Sequence, residues 1–474
     1  MSSPWLASPP TVADRAAFAE AEPTPYWPHT LPARDPHPPL ERALECELLI
    51  VGGGFTGLWA ALYAKQLAPD REVVILEGMR CGAGASSRNG GFLNYSLTHG
   101  IENGRTRFGA EIATLERLGT RNYEELCADL DRHGIDAELE PTGELDVAVA
   151  AHQLPDLEDK ARVLEEFGQR AELLDADATR AEIHSPLYLG GVWQQTGAAV
   201  VNPAKLADGL RRAALDAGVR IHEHSRVSRL RAHGQGLEAF TDTGVARAER
   251  ALLATSAYGP LVPAIGRYIA PVYDYALMTE PLTQAQLHSL GWHRRQGIGD
   301  AGNQFHYYRL TAENRILWGG YDAVYRFGGP VRPELDDDEP TFARLAHNFF
   351  TNFPQLEGVR FSHRWGGAID TCSRFSVFFG RALAGRAVYA LGYTGLGVGA
   401  SRFGARTGLD LLDGRESEAT ALQFVRSRPL PFPPEPLRSA VIQLTRNRLA
   451  AADRTGERGL WLRTLDRFGL GFDS

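Results

Sequence analysis

Two kinds of hydrophobic pattern alternate along the chain. Short runs without a polar break, Leu48-Leu49-Ile50-Val51, Val73-Val74-Ile75-Leu76, Ala251-Leu252-Leu253-Ala254 and Ala387-Val388-Tyr389-Ala390-Leu391, offer no face to water. They predict parallel strands covered on both sides. Helical patterns adjoin them: after Gly57, from Pro203 to Ala217 with Asn202 as cap, and from about Ala400 to Asp413. The residues between behave differently. Arg105 to His133 sets Phe108, Ile112, Leu115, Leu118, Tyr123 and Leu126 close to helical spacing, Leu145 to Val149 alternates as a strand, and helices follow around 155–168 and 175–183. From 268 to 371 strands dominate (273–279, 304–310, 315–320 and 359–369), interrupted by a helix around 339–350. The fold class is therefore α/β, a parallel sheet assembled from separated segments and interleaved with a second, α+β unit. Residues 1–45 are dense in proline, which denies helix and favours an extended arm. Tyr26-Trp27 suits that arm to lying on the body; disorder is the alternative.

Chemistry enters where the first strand ends. Gly52, Gly54 and Gly57 stand at the glycine positions of G-x-G-x-x-G, with Phe55 and Thr56 between the last two. The first allows a sharp turn out of the strand, the second a close approach of pyrophosphate, and the third close packing of helix on sheet. The following helix points unpaired N–H groups at the anion. Glu77, twenty positions after Gly57 and at the tip of the next strand, stands where ribose hydroxyls are held. These parts together predict a dinucleotide site. Gly84-Ala85-Ser86-Ser87-Arg88-Asn89-Gly90-Gly91 follows, a loop suited to approaching the same ligand closely. A second strand-glycine-helix unit, Gly392-Tyr393-Thr394-Gly395-Leu396-Gly397-Val398, lacks a strand-end acid and reads as the holder of the ligand's other end.

Composition narrows the function. The 474 residues are 43% apolar and 23% charged, with net charge −8, which gives no footprint for nucleic acid or an anionic membrane. Only three of the 50 basic residues are lysines, and none follows Lys205. Cys46, Cys81, Cys127 and Cys372 form no C-x-x-C, so neither a metal nor a redox pair is expected. No signal-peptide pattern opens the chain, and the apolar stretch 251–262 is too short and too broken to span a bilayer. A cytoplasmic protein with no membrane partner is expected; its oligomeric state is not legible.

With these pieces the chain resembles the D-amino-acid oxidase/glycine oxidase-like superfamily of FAD-dependent oxidoreductases, closest to its gamma-glutamylputrescine oxidase-like, amine-oxidising branch. The motifs that carry the resemblance are 51–61 with Glu77, 84–91, and 392–398. It implies that the first holds the ADP half of FAD, the second wraps pyrophosphate and flavin, and the third meets the flavin ring and ribityl chain. Val227 matches a position whose backbone contacts adenine. A Rossmann-like FAD domain would comprise 46–100, 195–262 and 372–425. A substrate domain with a mixed or antiparallel sheet would comprise 101–194 and 263–371, and 426–474 would form a helical tail. Departures are informative. Relatives acting on α-amino acids carry a carboxylate-binding arginine where Ala368 or a neighbour stands here. Some relatives attach flavin through a cysteine near Trp365, with Cys372 several residues away, so non-covalent FAD is expected. Trp318 takes the place of an oxygen-activating lysine.

The resulting expectation is oxidation of a small-molecule amine by hydride transfer to FAD, giving imine and then aldehyde, with O2 or another acceptor closing the cycle. Arg88 is a candidate stabiliser of reduced flavin. His306 and Tyr308 share a strand face that lines the pocket, Asp322 and Asp370 attract the ammonium group, and Trp365 stands near the flavin. An amino-acid oxidase or dehydrogenase of the same superfamily is the alternative, followed by a flavin monooxygenase or a flavoprotein without turnover.

Overall fold

Residues 4–6 and 8–467 are described by the structure, a computed structural model; the end of the expected tail, 468–474, lies outside them. The unbroken apolar runs form the centre of one sheet. Its strands lie in the order Phe378–Ala382, Ala387–Leu391, Val245–Leu253, Ala43–Val51, Val73–Leu76, Arg220–His222, and the hairpin Arg229–His233/Gly236–Phe240 extends Val245–Leu253. The central pairings are parallel. Leu48 and Ile50 face a core shared with the helices Phe55–Leu67, Pro203–Asp216 and Gly397–Asp413. Leu49 and Val51 face a second core with Val227, Tyr268 and Phe378. Two covered faces explain the missing polar break.

A second sheet has nine strands. Its main path runs Val324–Tyr325, Ala270–Thr279, Ile316–Gly320, His306–Leu310, Gly297–Asp300, Glu144–Ala148, Gly190–Gln194, Ala171–Asp175, with Phe361–Thr371 alongside Ala270–Thr279. Its far face packs Tyr273, Tyr275, Ile298, Tyr308 and Trp318 against Phe342, Phe349 and Phe353 of and beside the helix Glu339–Asn352. Its near face turns toward the first sheet's glycine turns. Ala276, Leu317 and Trp365 there meet Trp27 of the arm.

The arm departs from the extended course expected of it. Prolines stop at Pro10 and resume at Pro23, and the gap holds a helix, Val12–Phe18, capped by Thr11 and Asp14. Beyond it the Glu22 N–H donates to Ser362 O (2.9 Å), and Arg364 N–H returns a bond to Glu22 O (2.9 Å). Arg34 reaches the buried Glu223 carboxylate (2.8 and 2.5 Å), which also accepts from His37 N and Cys81 N, each at 2.7 Å. Although burial opposes ionisation, these donors hold the Glu223 carboxyl at about 2. The arm is thereby fastened to the start of the cofactor loop. The tail helix Leu437–Thr455 docks on the second sheet through Arg446 and Asp453.

Candidate active site

The first glycine turn has the geometry its spacing predicts. Gly52 has φ +108°, and a Cβ there would lie 2.4 Å from Ala254 O; at Gly57 it would lie 1.9 Å from Gly52 O. No side chain fits either place. Glu77 accepts from Gly53 N (2.6 Å) and Met79 N (2.8 Å), while burial pushes its carboxyl upward. The helix Phe55–Leu67 begins at Gly54 without a side-chain cap. Its Phe55 N–H meets Ser86 Oγ (2.9 Å), joining the turn to the loop 84–91. Ser225 N–H donates to Glu77 O (2.7 Å), and Val227 follows two residues on, beside the strand tip.

The loop 84–91 is folded by Asn89. Its amide donates to Ala85 O (2.9 Å) and Ser86 O (3.2 Å) and accepts from Gly91 N (2.8 Å). Two indoles grip it from outside, Trp27 Nε1 on Asn89 O and Trp365 Nε1 on Arg88 O, each at 2.8 Å. Arg88 forms an ion pair with Asp336 (2.6 Å) and donates to Gly366 O (2.9 Å). Arg88 and Trp365 thus fix the loop to the second sheet.

The last turn is held from below. Gly392 (φ +82°), Thr394 (φ +52°) and Gly395 (φ +96°) carry the chain into the helix Gly397–Asp413, whose N-terminus at Leu396 has no side-chain cap. The Asp370 carboxylate accepts Gly392 N–H (2.6 Å) and the main chain of Tyr393 and Thr394. Asp370 therefore positions the turn, which corrects its expected role as an ammonium ligand. Thr56 Oγ1 donates to Tyr393 OH (2.9 Å), so the first and last turns touch. Two helix ends whose own N-cap residues give no side-chain cap, linked in this way and with a strand-tip carboxylate beside the first, fit a ligand with an anionic middle and a ring that gains negative charge. Gly52, Gly54, Phe55, Thr56, Gly57, Glu77 and residues 84–91 would hold the adenine-to-pyrophosphate half of FAD, and Gly392 with 394–398 the flavin half.

The second sheet corrects the expected pocket residues. Trp365, Ala276, Gly319, Tyr307, Gly299 and Asp146 are successive cross-strand partners on the near face. Neighbouring strand residues point oppositely, so His306 and Tyr308 face away, into the far core. His306 lies between Asp300 (Nδ1···Oδ2 3.2 Å) and Asn348 (3.0 Å), and Tyr308 OH meets Tyr188 OH (2.5 Å). Trp318 stacks on His306, also on the far face, so Leu317 and Gly319 are its near-face neighbours. Asp322 pairs with Arg446 of the tail (Nε–Oδ1 2.7 Å) and is not open to a substrate.

What the near face presents instead is Tyr307 and Asp274. Tyr307 OH donates to Asp274 Oδ2 (2.5 Å), and its ring edge comes within 2.7 Å of a Cβ placed on Gly90. Burial pushes the Asp274 carboxyl up to about 6. Further along the row, Glu144 and Asp146 face Lys160 of the helix Leu154–Glu166. Asp274, Tyr307 and Glu144 are half-buried on this near face, which leaves a chamber beside the glycine loop, whereas Lys160 is exposed. Arg309, two residues from Tyr307, is wholly buried. Its Nη1 donates to Val201 O (2.6 Å), it lies 5.4 Å from the Trp27 ring centre, and burial lowers its pKa to about 10. No motif marks Asp274, Tyr307 or Lys160. The one available signal was the alternation of the sheet, with glycines at 297, 299 and 319 that leave room on the near face.

The family profile "DAO: FAD dependent oxidoreductase" matches residues 47–409. Over 405 residues the chain is 33% identical to gamma-glutamylputrescine oxidoreductase of Escherichia coli (strain K12), covering 84% of this chain and 90% of that protein. Over 369 residues it is 28% identical to the probable oxidoreductase OrdL of Haemophilus influenzae, covering 76% and 81%. Its fold matches the crystal structure of glycine oxidase from Geobacillus kaustophilus with a TM-score of 0.65 at 21% identity, covering 81% and 99%. No helix of the described residues is long and apolar enough to cross a membrane.

Proposed function

The chain belongs to the family of FAD-dependent oxidoreductases, and we propose that its chamber takes an amine, of the kind named by its Escherichia coli relative, and oxidises the C–N bond. The cofactor, when bound, supplies the hydride acceptor. Asp274 carries this reading. It is an acid on the near face, beside the loop that would wrap the flavin, and it attracts an ammonium group. Its carboxyl near 6 is suited to take the proton that the ammonium must lose before its α-carbon yields hydride. Tyr307 orients the carboxylate and stabilises its ionised form. The product imine then hydrolyses to an aldehyde.

An α-amino acid at the reacting end would need a guanidinium for its carboxylate. Arg88 is committed to Asp336, which counts against that alternative; Arg309 is wholly buried, with Nη1 on Val201 O and Nη2 without a hydrogen-bonding partner among the described residues. Non-covalent attachment is supported by Cys372, whose buried thiol lies against Ser376 O (3.2 Å) and Gly392 O (3.3 Å). The electron acceptor in this reading is O2 or another oxidant. Four free cysteines suit a reducing compartment, and we place the reaction in the cytoplasm.

The test is anaerobic addition of γ-glutamylputrescine, putrescine, monoamines and α-amino acids to the purified yellow protein. Bleaching of the visible flavin band by amines and not by α-amino acids is the expected result. Bleaching by α-amino acids alone would reject the reading.

A further inference from the structure

We propose that Glu22, His29 and His363 bind a zinc ion that fastens the N-terminal arm to the second sheet, a site independent of the reaction in the chamber. The cysteines offer no metal site; these ligands come instead from the arm and from a strand more than 300 residues later. The backbone brings them together. Glu22 forms a single parallel bridge to His363, and the turn Trp27–Thr30, with Pro28 among its first residues, carries His29 back to the same spot. One carboxylate oxygen, Glu22 Oε2, lies 3.9 Å from Nε2 of each histidine, and the three ligand atoms all fall within 4.8 Å of one another. The two imidazole rings meet edge to face with their centres 4.8 Å apart. Two imidazoles bound through Nε2 to one tetrahedral zinc hold their centres about 5 Å apart.

The hydrogen bonds around His363 point the same way. The residue is only 8% exposed, and its Nε2 is buried with no hydrogen-bonding partner among the described residues. Buried polar atoms ordinarily find one. Ser362 Oγ, 3.0 Å from His363 Nδ1, accepts from Arg315 Nη1 (3.0 Å) and gives its one proton to Thr279 O (3.1 Å). It has only a lone pair left for the ring, so Nδ1 carries the hydrogen and Nε2 is a bare lone pair. Burial and the neighbouring His29 lower the ring's pKa to about 4 and keep it neutral. A lone pair therefore faces a carboxylate oxygen, a repulsive arrangement that a divalent cation between them turns into two bonds. Ser362 would then play the part of the outer contact that orients a ligating histidine. Glu22 has no lysine or arginine partner among the described residues, which leaves its charge for the ion. Tetrahedral zinc needs ligand atoms about 3.3 Å apart. Glu22 and His29 are exposed, and His29 Nε2 has only a long contact to Thr24 Oγ1 (3.3 Å), so these two side chains can turn inward while water completes the shell. Two imidazoles with one carboxylate suit Zn2+ better than Mg2+ or Ca2+, which take oxygen ligands. His29 stands two residues past Trp27, whose indole grips Asn89 O (2.8 Å), so the ion would also brace the glycine loop.

The probe is Zn2+ itself, titrated by calorimetry into holoenzyme that carries no histidine tag and has been stripped of metal by a chelator. One ion per chain should bind with a Kd of about 10 μM or below and raise the melting temperature, and Mg2+ at the same concentration should do neither. Glu22→Gln and His29→Gln alter exposed side chains, so both proteins should fold. Each should bind Zn2+ at least about tenfold more weakly and lose the thermal shift. X-ray absorption at the zinc edge of the loaded wild type should show two imidazole nitrogens at about 2.0 Å. Failure to bind one equivalent of Zn2+ overturns the site. Unchanged affinity in both variants overturns it too, as does an absorption spectrum without imidazole.

Discussion

Tyr307 and Tyr308 are adjacent tyrosines on one strand, and each places its hydroxyl 2.5 Å from a single oxygen. Tyr308 meets another tyrosine in a core of phenylalanines closed by the helix Glu339–Asn352. Tyr307 meets a carboxylate in a chamber bordered by the glycine loop. Side-chain chemistry does not separate them; what covers each face does. A helix laid on the sheet excludes space and pairs His306, Tyr308 and Tyr188 with protein neighbours. Two glycine turns and a loop leave an opening, and a buried acid there keeps a raised pKa that chemistry can use. The same division explains His306, whose contacts with Asp300 and Asn348 belong to the closed face.

The largest expected effect lies on the open face. Asp274→Asn should lower kcat/KM for amines by about 100-fold, the usual weight of a general base. In the wild type, kcat/KM should fall as pH drops below about 6, because the carboxyl becomes protonated there; the asparagine variant should lose that limb. A steady-state pH profile reads both.

Next is the turn that would meet the flavin. Asp370→Ala leaves the N–H groups of Gly392 and its neighbours without their buried acceptor. A cost of about 1–3 kcal/mol should appear as weaker FAD binding, roughly tenfold, measured by equilibrium titration of the apoprotein. The smallest effect belongs to the closed face. Tyr308→Phe removes one buried hydroxyl, while Asn352 still donates to Tyr188 OH (3.0 Å). A stability loss of about 1 kcal/mol in denaturant is expected, with kinetics changed less than about twofold.

The first glycine turn and its strand-tip acid were legible because their physics is local. Gly52, Gly54, Gly57 and Glu77 act within one β-α-β unit, and their spacing alone specifies turn, helix end and acid. The alternation of buried runs and amphipathic segments likewise exposed the interleaved sheets. The chamber was less legible. Its residues come from strands far apart in sequence, and choosing His306 over Tyr307 is a one-residue error in which face of a strand meets the ligand. Asp322 and Asp370 stand at strand ends as expected, yet Arg446, 124 residues away, takes the first, and the last turn takes the second. The arm's helix was hidden by average proline density, although the gap from Pro10 to Pro23 was visible.

The most direct test of the division between faces removes one hydroxyl from each neighbour. Holoenzymes of Tyr307→Phe and Tyr308→Phe, mixed anaerobically with γ-glutamylputrescine, report the rate of flavin bleaching against pH. The expected result is a rate about tenfold lower for Tyr307→Phe alone. Its acidic limb should move to higher pH, because the Asp274 carboxylate has lost a bond to its ionised form. An equal slowing in Tyr308→Phe, or an unaltered Tyr307→Phe, would contradict the assignment of the chamber to the Tyr307 face.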